Sequence, residues 1–204
     1  MPDAPRRQSR IQKKNRDAIL TAALQEFSAQ GYAGTTIDRI AEAAGLSKPN
    51  VLYYFQSKEA IHRELLQALL DLWLAPLREI RAEGDPLDQI LAYARRKLEM
   101  SRDYPRESRL FANEVLQGAP RLTPILGGAL RELVDEKSAL IETWARQGRI
   151  APLDPHHLLF SIWALTQHYA DFEVQVRAVL GNGHDPYAEA GVFLDQLYRK
   201  LLAP

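Results

Sequence analysis

Residues 35–58 hold two short helical segments joined by a glycine-containing turn, and a third helix starts directly after them. Thr35 and Asp38 can cap the first segment together, in the arrangement called a capping box. Gly45 then allows the positive φ that ends a helix in a tight turn. This order of elements is the layout of a helix-turn-helix unit, which binds DNA through its second helix.

The second helical segment begins with Ser47, which can cap it, and Pro49 suits its first turn because no hydrogen bond is lost there. We expect Val51, Leu52 and Phe55 to lie on its inner side. The outer side then carries polar and aromatic side chains that can reach bases and phosphates. These are Lys48, Asn50, Tyr53 and Tyr54.

Each outer side chain has a chemistry suited to DNA. Lys48 can donate to guanine, and Asn50 can pair with an adenine edge. Tyr53 can offer its ring to a thymine methyl group or contact a phosphate. Alternatively, one of the adjacent tyrosines Tyr53 and Tyr54 packs into the core of the helix-turn-helix unit.

Composition excludes several other classes of protein. The chain has 204 residues, of which 46% are hydrophobic and 25% charged, as in ordinary globular proteins. It contains no cysteine, which removes disulfides, thiolate metal clusters and cysteine nucleophiles. No apolar run approaches the roughly 20 residues of a membrane helix, and no signal-peptide core follows the N-terminus. We expect a cytoplasmic protein without a membrane segment.

The charges are unevenly distributed along the chain. The formal net charge is zero, but residues 1–58 carry +4 and residues 59–204 carry −4. Six lysines or arginines lie within residues 1–16, against the single acidic residue Asp3. Basic arms of this kind bind phosphates or enter a minor groove, although a solubilising tail is the simpler alternative.

Helical periodicity recurs throughout the chain, and strand signals are almost absent. Glycine and proline signals divide the chain into nine predicted helices, at 14–30, 36–44, 47–54, 57–80, 85–101, 104–117, 121–148, 154–180 and 186–202. We therefore predict an all-α fold of nine helices. The expected domains are a basic flexible arm at 1–13, the helix-turn-helix domain at 14–56 and the larger domain at 57–204.

A possible ligand site lies in the predicted helix 154–180. Trp163, Gln167 and Asp171 are spaced four residues apart, so they share one face. They could bind a flat heterocycle, since an indole can stack, an amide can donate and accept, and a carboxylate can accept. Trp73, in the predicted helix 57–80, could form a second wall. Ordinary core packing is the alternative.

The predicted helices 154–180 and 186–202 are apolar on more than one side, so each needs more than one packing partner. A second copy of the chain would supply it through a four-helix interface, and a two-fold dimer reads a palindromic operator. A central position of these helices in a monomer is the equally simple alternative.

The helix-turn-helix domain resembles the tetracycline-repressor (TetR) family of bacterial regulators, through TTIDRIAEAAGLS at 35–47 and LYYFQSKEA at 52–60. The larger domain resembles a narrower group of this family, the uracil-responsive regulators of pyrimidine utilisation. The motifs are DLWLAPL at 71–77, SRDYP at 101–105, DEKSALI at 135–141 and FSIWALTQHYADF at 160–172.

The resemblance implies a homodimer of nine-helix chains, each with an N-terminal three-helix DNA-binding domain and a six-helix ligand-binding and dimerisation domain. It implies that this dimer binds double-stranded operator DNA and is released by a small planar effector such as uracil or thymine. It assigns DNA contacts to Thr36, Tyr54 and Lys58 on phosphates and to Ser47, Lys48 and Pro49 close to bases or sugars. It points to an effector site of Trp73, Trp163, Gln167 and Asp171, with Lys97, Ser101 and Phe111 as weaker additions. It implies no cofactor.

No common catalytic motif occurs in the sequence, which argues against an enzyme. A metal site could be assembled on paper from His156, His157, His168 and Asp171, but adjacent histidines point to different sides of a helix. Three alternatives stay open: a regulator of another planar metabolite, an architectural DNA binder without an effector, and a nucleobase-processing enzyme.

Overall fold

The computed structural model describes residues 10–123 and 126–204, and their regular structure is helical, without a β-strand in these ranges. The α-helices are α1 (Arg10–Gly34), α2 (Ile37–Ala43), α3 (Lys48–Tyr54), α4 (Lys58–Arg78), α5 (Pro86–Asp103), α6 (Pro105–Leu116), α7 (Arg131–Arg146), α8 (Pro155–Asp171), α9 (Glu173–Leu180) and α10 (Pro186–Leu202). The predicted all-α fold is confirmed. Within the described ranges, no helix is long and apolar enough to cross a membrane.

The chain divides into two compact units, one up to Ala68 and the other from Leu69 onward. In the first unit, α2 packs against both α1 and α3. The backbone of α1 leaves helical geometry at Gly31, where φ is 68°. Buried side chains of this unit come from all four of its helical segments; they include Ile19, Phe27, Ile40, Val51, Ile61 and Leu66.

The cap of α2 differs by one residue from the predicted capping box. Thr36 caps this helix, because its Oγ1 accepts a hydrogen bond from the Arg39 backbone N–H at 3.2 Å. Thr35 is buried, and its hydroxyl donates to the Gly31 carbonyl at 2.8 Å. The prediction for Thr35 was wrong because this side chain closes the end of α1 instead.

The turn between α2 and α3 has the predicted chemistry. Gly45 has a φ of 67°, and the Ser47 side chain caps α3. Val51 and Phe55 are buried as predicted, but Leu52 is 41% exposed. Successive residues of a helix are rotated by roughly 100°, so a short helix that buries Val51 turns Leu52 away from the core. The predicted inner position of Leu52 was therefore wrong.

The second unit has α5 and α8 at its centre. Helix α5 packs against both α8 and α10, while α6 and α7 also pack against α8. Its core includes the fully buried side chains of Ile162, Trp144 and Tyr198. A smaller cluster contains Trp73 and Met100.

Two of the predicted long helices are interrupted. At Phe172 the backbone leaves helical geometry (φ −114°, ψ 28°), so the predicted helix 154–180 becomes α8 and α9. No glycine or proline marks this position. The predicted helix 121–148 becomes a π-helix, Leu126–Leu130, followed by α7, with Gly128 at non-helical angles (φ −105°, ψ −109°). Residues 124 and 125 of that prediction lie outside the described residues.

Candidate nucleic-acid interface and ligand cavity

The outer side of α3 presents the polar side chains that were predicted to contact DNA. Lys48 and Asn50 are exposed, and Tyr53 is 71% exposed. The Lys48 ammonium forms an ion pair with Asp38 at 2.9 Å, with both side chains largely in solvent. Exposed ion pairs of this kind contribute little to stability, so Lys48 can exchange this partner for DNA at small cost.

The two adjacent tyrosines of α3 have different environments. Tyr54 is half-buried, and its hydroxyl accepts a hydrogen bond from Asn15 of α1 at 3.2 Å. Its ring meets the exposed Tyr53 edge to face, with the ring centroids 5.2 Å apart. Tyr54 thus packs partly against α1 within the first unit. This contact agrees with the alternative that one of the two tyrosines has a structural role.

Lys58 has a structural role that the sequence did not reveal. Its ammonium donates to the carbonyls of Tyr32 and Thr35, at 2.7 and 2.8 Å, and lies 4.2 Å from the centre of the Tyr32 ring. These contacts join the start of α4 to the end of α1. Thr36 keeps an exposed side chain that caps α2, next to this junction.

The second unit contains a cavity of about 50 Å³ with aromatic and polar walls. It is lined by Leu70, Trp73, Leu74, Tyr93, Lys97, Phe111, Leu130, Trp163 and Gln167. Five of these residues belong to the predicted effector site. The other four are mainly apolar and were not predicted. Tyr93 and Leu130 lie on different helical segments and belong to no recognisable motif, so the sequence alone does not place them beside Trp73.

The polar residues Lys97 and Trp73 meet inside this cavity. Lys97 is 4% exposed, and its Nζ lies 4.6 Å from the centre of the Trp73 ring. Burial lowers the pKa of Lys97 to about 8, because removal from water disfavours the charged form. The nearby Ser101 hydroxyl donates to the Lys97 backbone carbonyl at 3.1 Å and does not line the cavity.

The two cavity tryptophans differ in their hydrogen bonding. The Trp163 indole N–H donates to the Tyr93 hydroxyl at 2.7 Å. The Trp73 indole N–H is buried and has no hydrogen-bond acceptor in the part of the chain that the structure describes. Phe111 meets the Trp73 ring edge-on, with 5.2 Å between the ring centroids. The Trp163 indole N–H is therefore satisfied within the protein, whereas the Trp73 indole N–H is available to a ligand.

Asp171, like Ser101, is a predicted effector residue that does not line the cavity. Its carboxylate accepts a hydrogen bond from Ser108 of α6 at 2.5 Å. Burial raises the pKa of Asp171 above the usual range, and the Ser108 hydrogen bond opposes that rise. The four-residue spacing correctly places Asp171 near the face of Gln167, but α8 ends at Asp171 and the adjacent helix captures its side chain.

The histidines considered for a metal site are not assembled into one. His156 lies 3.3 Å from Asp135, whereas His168 stacks on Phe172 with 5.1 Å between the ring centroids. Over residues 10–123 and 126–204, no group of three or more metal-ligating side chains is gathered together.

This geometry defines a helix-turn-helix protein with a separate helical unit that contains a small cavity. Residues 19–65 match the family described as bacterial regulatory proteins, tetR family, and residues 66–204 match YcdC-like protein, C-terminal region. The chain is 55% identical over 175 residues to the HTH-type transcriptional regulator RutR of Escherichia coli O157:H7 and of Escherichia coli strain K12. The alignment covers 86% of this chain and 82% of each relative.

Solved structures show the same fold. The SCO4942 protein of Streptomyces coelicolor is 25% identical, with a TM-score of 0.67 over 92% of this chain and 98% of that one. AibR in complex with isovaleryl coenzyme A and operator DNA is 20% identical, with a TM-score of 0.69 over 93% and 99%. The chain belongs to the TetR family of bacterial transcriptional regulators. It is a regulator of transcription and not an enzyme.

Proposed function

We propose that the chain binds operator DNA as a homodimer and is released by a small planar effector, a pyrimidine nucleobase such as uracil or thymine. The observation that carries this proposal is the cavity in which Trp73, Trp163 and Gln167 meet. Two aromatic rings and an amide are the groups that a flat ring edged with carbonyl and N–H groups requires. The resemblance to uracil-responsive regulators supports the same effector class.

The exposed outer side of α3 supports DNA binding through the major groove. In this proposal phosphate contacts set the position of the protein and base contacts set its sequence preference. The DNA-binding residues are Thr36, Ser47, Lys48, Pro49, Asn50, Tyr53, Tyr54 and Lys58. The proposed domains are a basic arm at 1–13, a DNA-binding domain at 14–56 and a ligand-binding and dimerisation domain at 57–204.

Apolar side chains exposed on α8 and α10 support the homodimer. On α8, Phe160 has nearly half of its surface exposed; on α10, Val192, Phe193 and Leu201 are similarly or more exposed. Covering such groups with a second copy removes their apolar surface from water, which favours association. A second copy, packed through the segments 154–180 and 186–202, would cover them.

Effector binding would couple to DNA binding through α4. This helix contains both Lys58 and Trp73, so a shift at Trp73 acts on the element that continues from the DNA-binding unit. The cavity has room for about four waters at roughly 10–15 Å³ each, which is less than a substituted pyrimidine occupies. Binding therefore requires side chains to move, and it favours one state of the protein over another.

The test measures operator release by fluorescence anisotropy, with a duplex that the protein itself selects from a random library. We expect uracil to displace the wild-type protein. Trp163→Ala should lose this response because it removes one wall of the cavity, and Trp163→Phe should retain part of it because a ring remains. Thermal unfolding of each variant shows whether it is folded.

Three outcomes would contradict the proposal. Release of Trp163→Ala by uracil at the wild-type concentration would place the effector elsewhere. Failure of every planar metabolite to shift the wild type would favour an architectural DNA binder. Failure of uracil and thymine alone, with release by another flat compound, would change the effector while leaving the regulator class intact.

A further inference from the structure

One buried hydrogen-bond donor in the cavity, the indole N–H of the 5% exposed Trp73, lacks an acceptor within the described part of the chain. The ammonium of Lys97, a side chain that is 4% exposed, lies against the face of the Trp73 ring and forms no ion pair with a described carboxylate. A buried donor without an acceptor is costly, and a buried cation without a counter-charge is more so. Such donors are explained if an acceptor binds there.

The remaining polar groups in the cavity do not meet this need. The Tyr93 hydroxyl is engaged by the Trp163 indole, and Gln167 contributes an amide, which can donate or accept. Asp171, which could have balanced Lys97, is hydrogen-bonded to Ser108 and does not line the cavity. The region around Trp73 and Lys97 therefore offers donors to a ligand.

We propose that Trp73 and Lys97 are specificity-determining residues that select an effector edge carrying oxygen acceptors, such as a ring carbonyl or an oxyanion, and reject an amino group there. This inference rests on the proposed function, because it concerns the same cavity. Uracil carries two carbonyl oxygens and satisfies the requirement. Cytosine carries an amino group in place of one of them, so it brings a donor where the protein already has donors.

The charge of Lys97 adds a pH dependence to this selection. The elements that line the cavity are α4, α5, α6, α8 and the π-helix, and among their lining residues only Lys97 and Tyr93 can titrate. Burial raises the pKa of Tyr93, so Tyr93 stays neutral. The pKa of Lys97 is about 8 in the free protein, so its charged form is lost as the pH rises through that value. An acceptor binds the charged form, and uracil affinity should fall about tenfold between pH 7 and pH 9.

The experiment measures uracil and cytosine binding by calorimetry on the full-length protein without DNA. Trp73→Phe keeps a ring and removes the N–H, and we expect about 3- to 10-fold weaker uracil binding. Lys97→Gln should weaken uracil binding about 10- to 100-fold and abolish the fall above pH 8, because a charge-assisted hydrogen bond is lost. It should also narrow the preference for uracil over cytosine, since the glutamine oxygen can accept from the amino group.

Two matched controls separate these effects from general damage. Trp144→Phe changes a buried tryptophan that does not line the cavity, and Lys137→Gln changes a buried lysine whose ammonium is bonded to the Ile80 carbonyl and Glu136. Both controls should bind uracil as the wild type does. The pH profile of the wild type needs no variant, so it tests the inference even if Lys97→Gln fails to fold.

The outcomes distinguish this inference from the proposed function. If the wild type binds uracil tightly and both Trp73→Phe and Lys97→Gln bind it equally well, the inference about these two donors is wrong while the proposed function stands. Equally tight binding of cytosine by the wild type would have the same meaning. A wild-type affinity for uracil that is flat from pH 7 to 9 would do the same for Lys97. A wild type that binds no planar heterocycle would overturn the proposed effector and this inference together.

Discussion

At the residue scale, side chains of the same type differ in their hydrogen-bond partners. Trp163 donates its N–H to Tyr93, whereas the N–H of Trp73 meets no acceptor in the described part of the chain. Lys137 is buried with two hydrogen-bond partners, but Lys97 is buried against an aromatic ring. Residue type therefore predicts which chemistry is possible, and the contacts determine whether it is available for a ligand.

The burial of Lys97 makes a prediction about stability. Its pKa falls from 10.5 to about 8 on folding, so the folded state binds fewer protons than the unfolded state between these values. The charged side chain therefore destabilises the fold below pH 8, and this cost disappears as the pH rises toward 10.5. We expect Lys97→Met to stabilise the effector-free protein at pH 7, by about 3 kcal/mol at most.

Urea unfolding of the wild type and Lys97→Met at pH 7 and near pH 10 would check this. The difference in the free energy of unfolding should shrink at the higher pH. A Lys97→Met protein that is less stable than the wild type at pH 7 would show that the ammonium has a stabilising partner.

At the element scale, the Lys58 ammonium is one of several contacts that join α1 to α4, beside the Arg16–Glu64 ion pair. Lys58 bonds two carbonyls near the end of α1, and it was also predicted to contact DNA phosphates. Both roles use the same ammonium, which can only donate hydrogen bonds. The start of α4 is thus both a structural joint and part of the proposed DNA contact.

We expect Lys58→Met to lower the free energy of unfolding by about 1–3 kcal/mol, because two charge-assisted hydrogen bonds are lost. Its DNA affinity should fall by a similar factor for all sequences, since phosphates carry no sequence information. Lys48→Met is the matched control: its exposed ion pair with Asp38 contributes little to stability, so it should alter DNA binding and leave unfolding nearly unchanged.

Urea unfolding and anisotropy titrations with several duplexes would measure both effects. Equal unfolding free energies for Lys58→Met and the wild type would show that the two carbonyl contacts contribute nothing to the stability of the fold.

At the scale of the whole molecule, the proposed homodimer would explain why α8 and α10 carry large apolar side chains on their outer surfaces. Phe193, on α10, is 52% exposed in the single chain. A charge introduced into a buried apolar interface is costly, so Phe193→Glu should convert the protein to a monomer. A monomer has one DNA-reading unit instead of two, and its operator affinity should fall at least tenfold.

Light scattering after size-exclusion chromatography would measure the mass, with anisotropy for DNA binding. Leu116→Glu is the control, since it places the same charge on an exposed apolar side chain of α6, outside the proposed interface. A dimeric Phe193→Glu protein would show that α10 does not form the interface in this way.

Local sequence was enough to predict the all-α fold and the turn between α2 and α3. Gly45, Ser47 and Pro49 act on their own neighbours in the chain, and helical periodicity needs no distant contact. The same reasoning brought Trp73, Trp163 and Gln167 forward as candidates. The break at Phe172 and the exposure of Leu52 were not predicted, because neither position is marked by a glycine, a proline or a change in the helical periodicity.

The pairing of distant side chains could be learned only from the folded chain. The sequence cannot show that Ser108 takes the Asp171 carboxylate, that Tyr93 takes the Trp163 indole, or that Lys97 lies on Trp73. Each of these contacts joins residues from different helices, so it depends on how the helices pack. Sequence therefore supplied the elements and the candidate chemistry, while packing determined which donors and acceptors are already satisfied and which remain for a ligand.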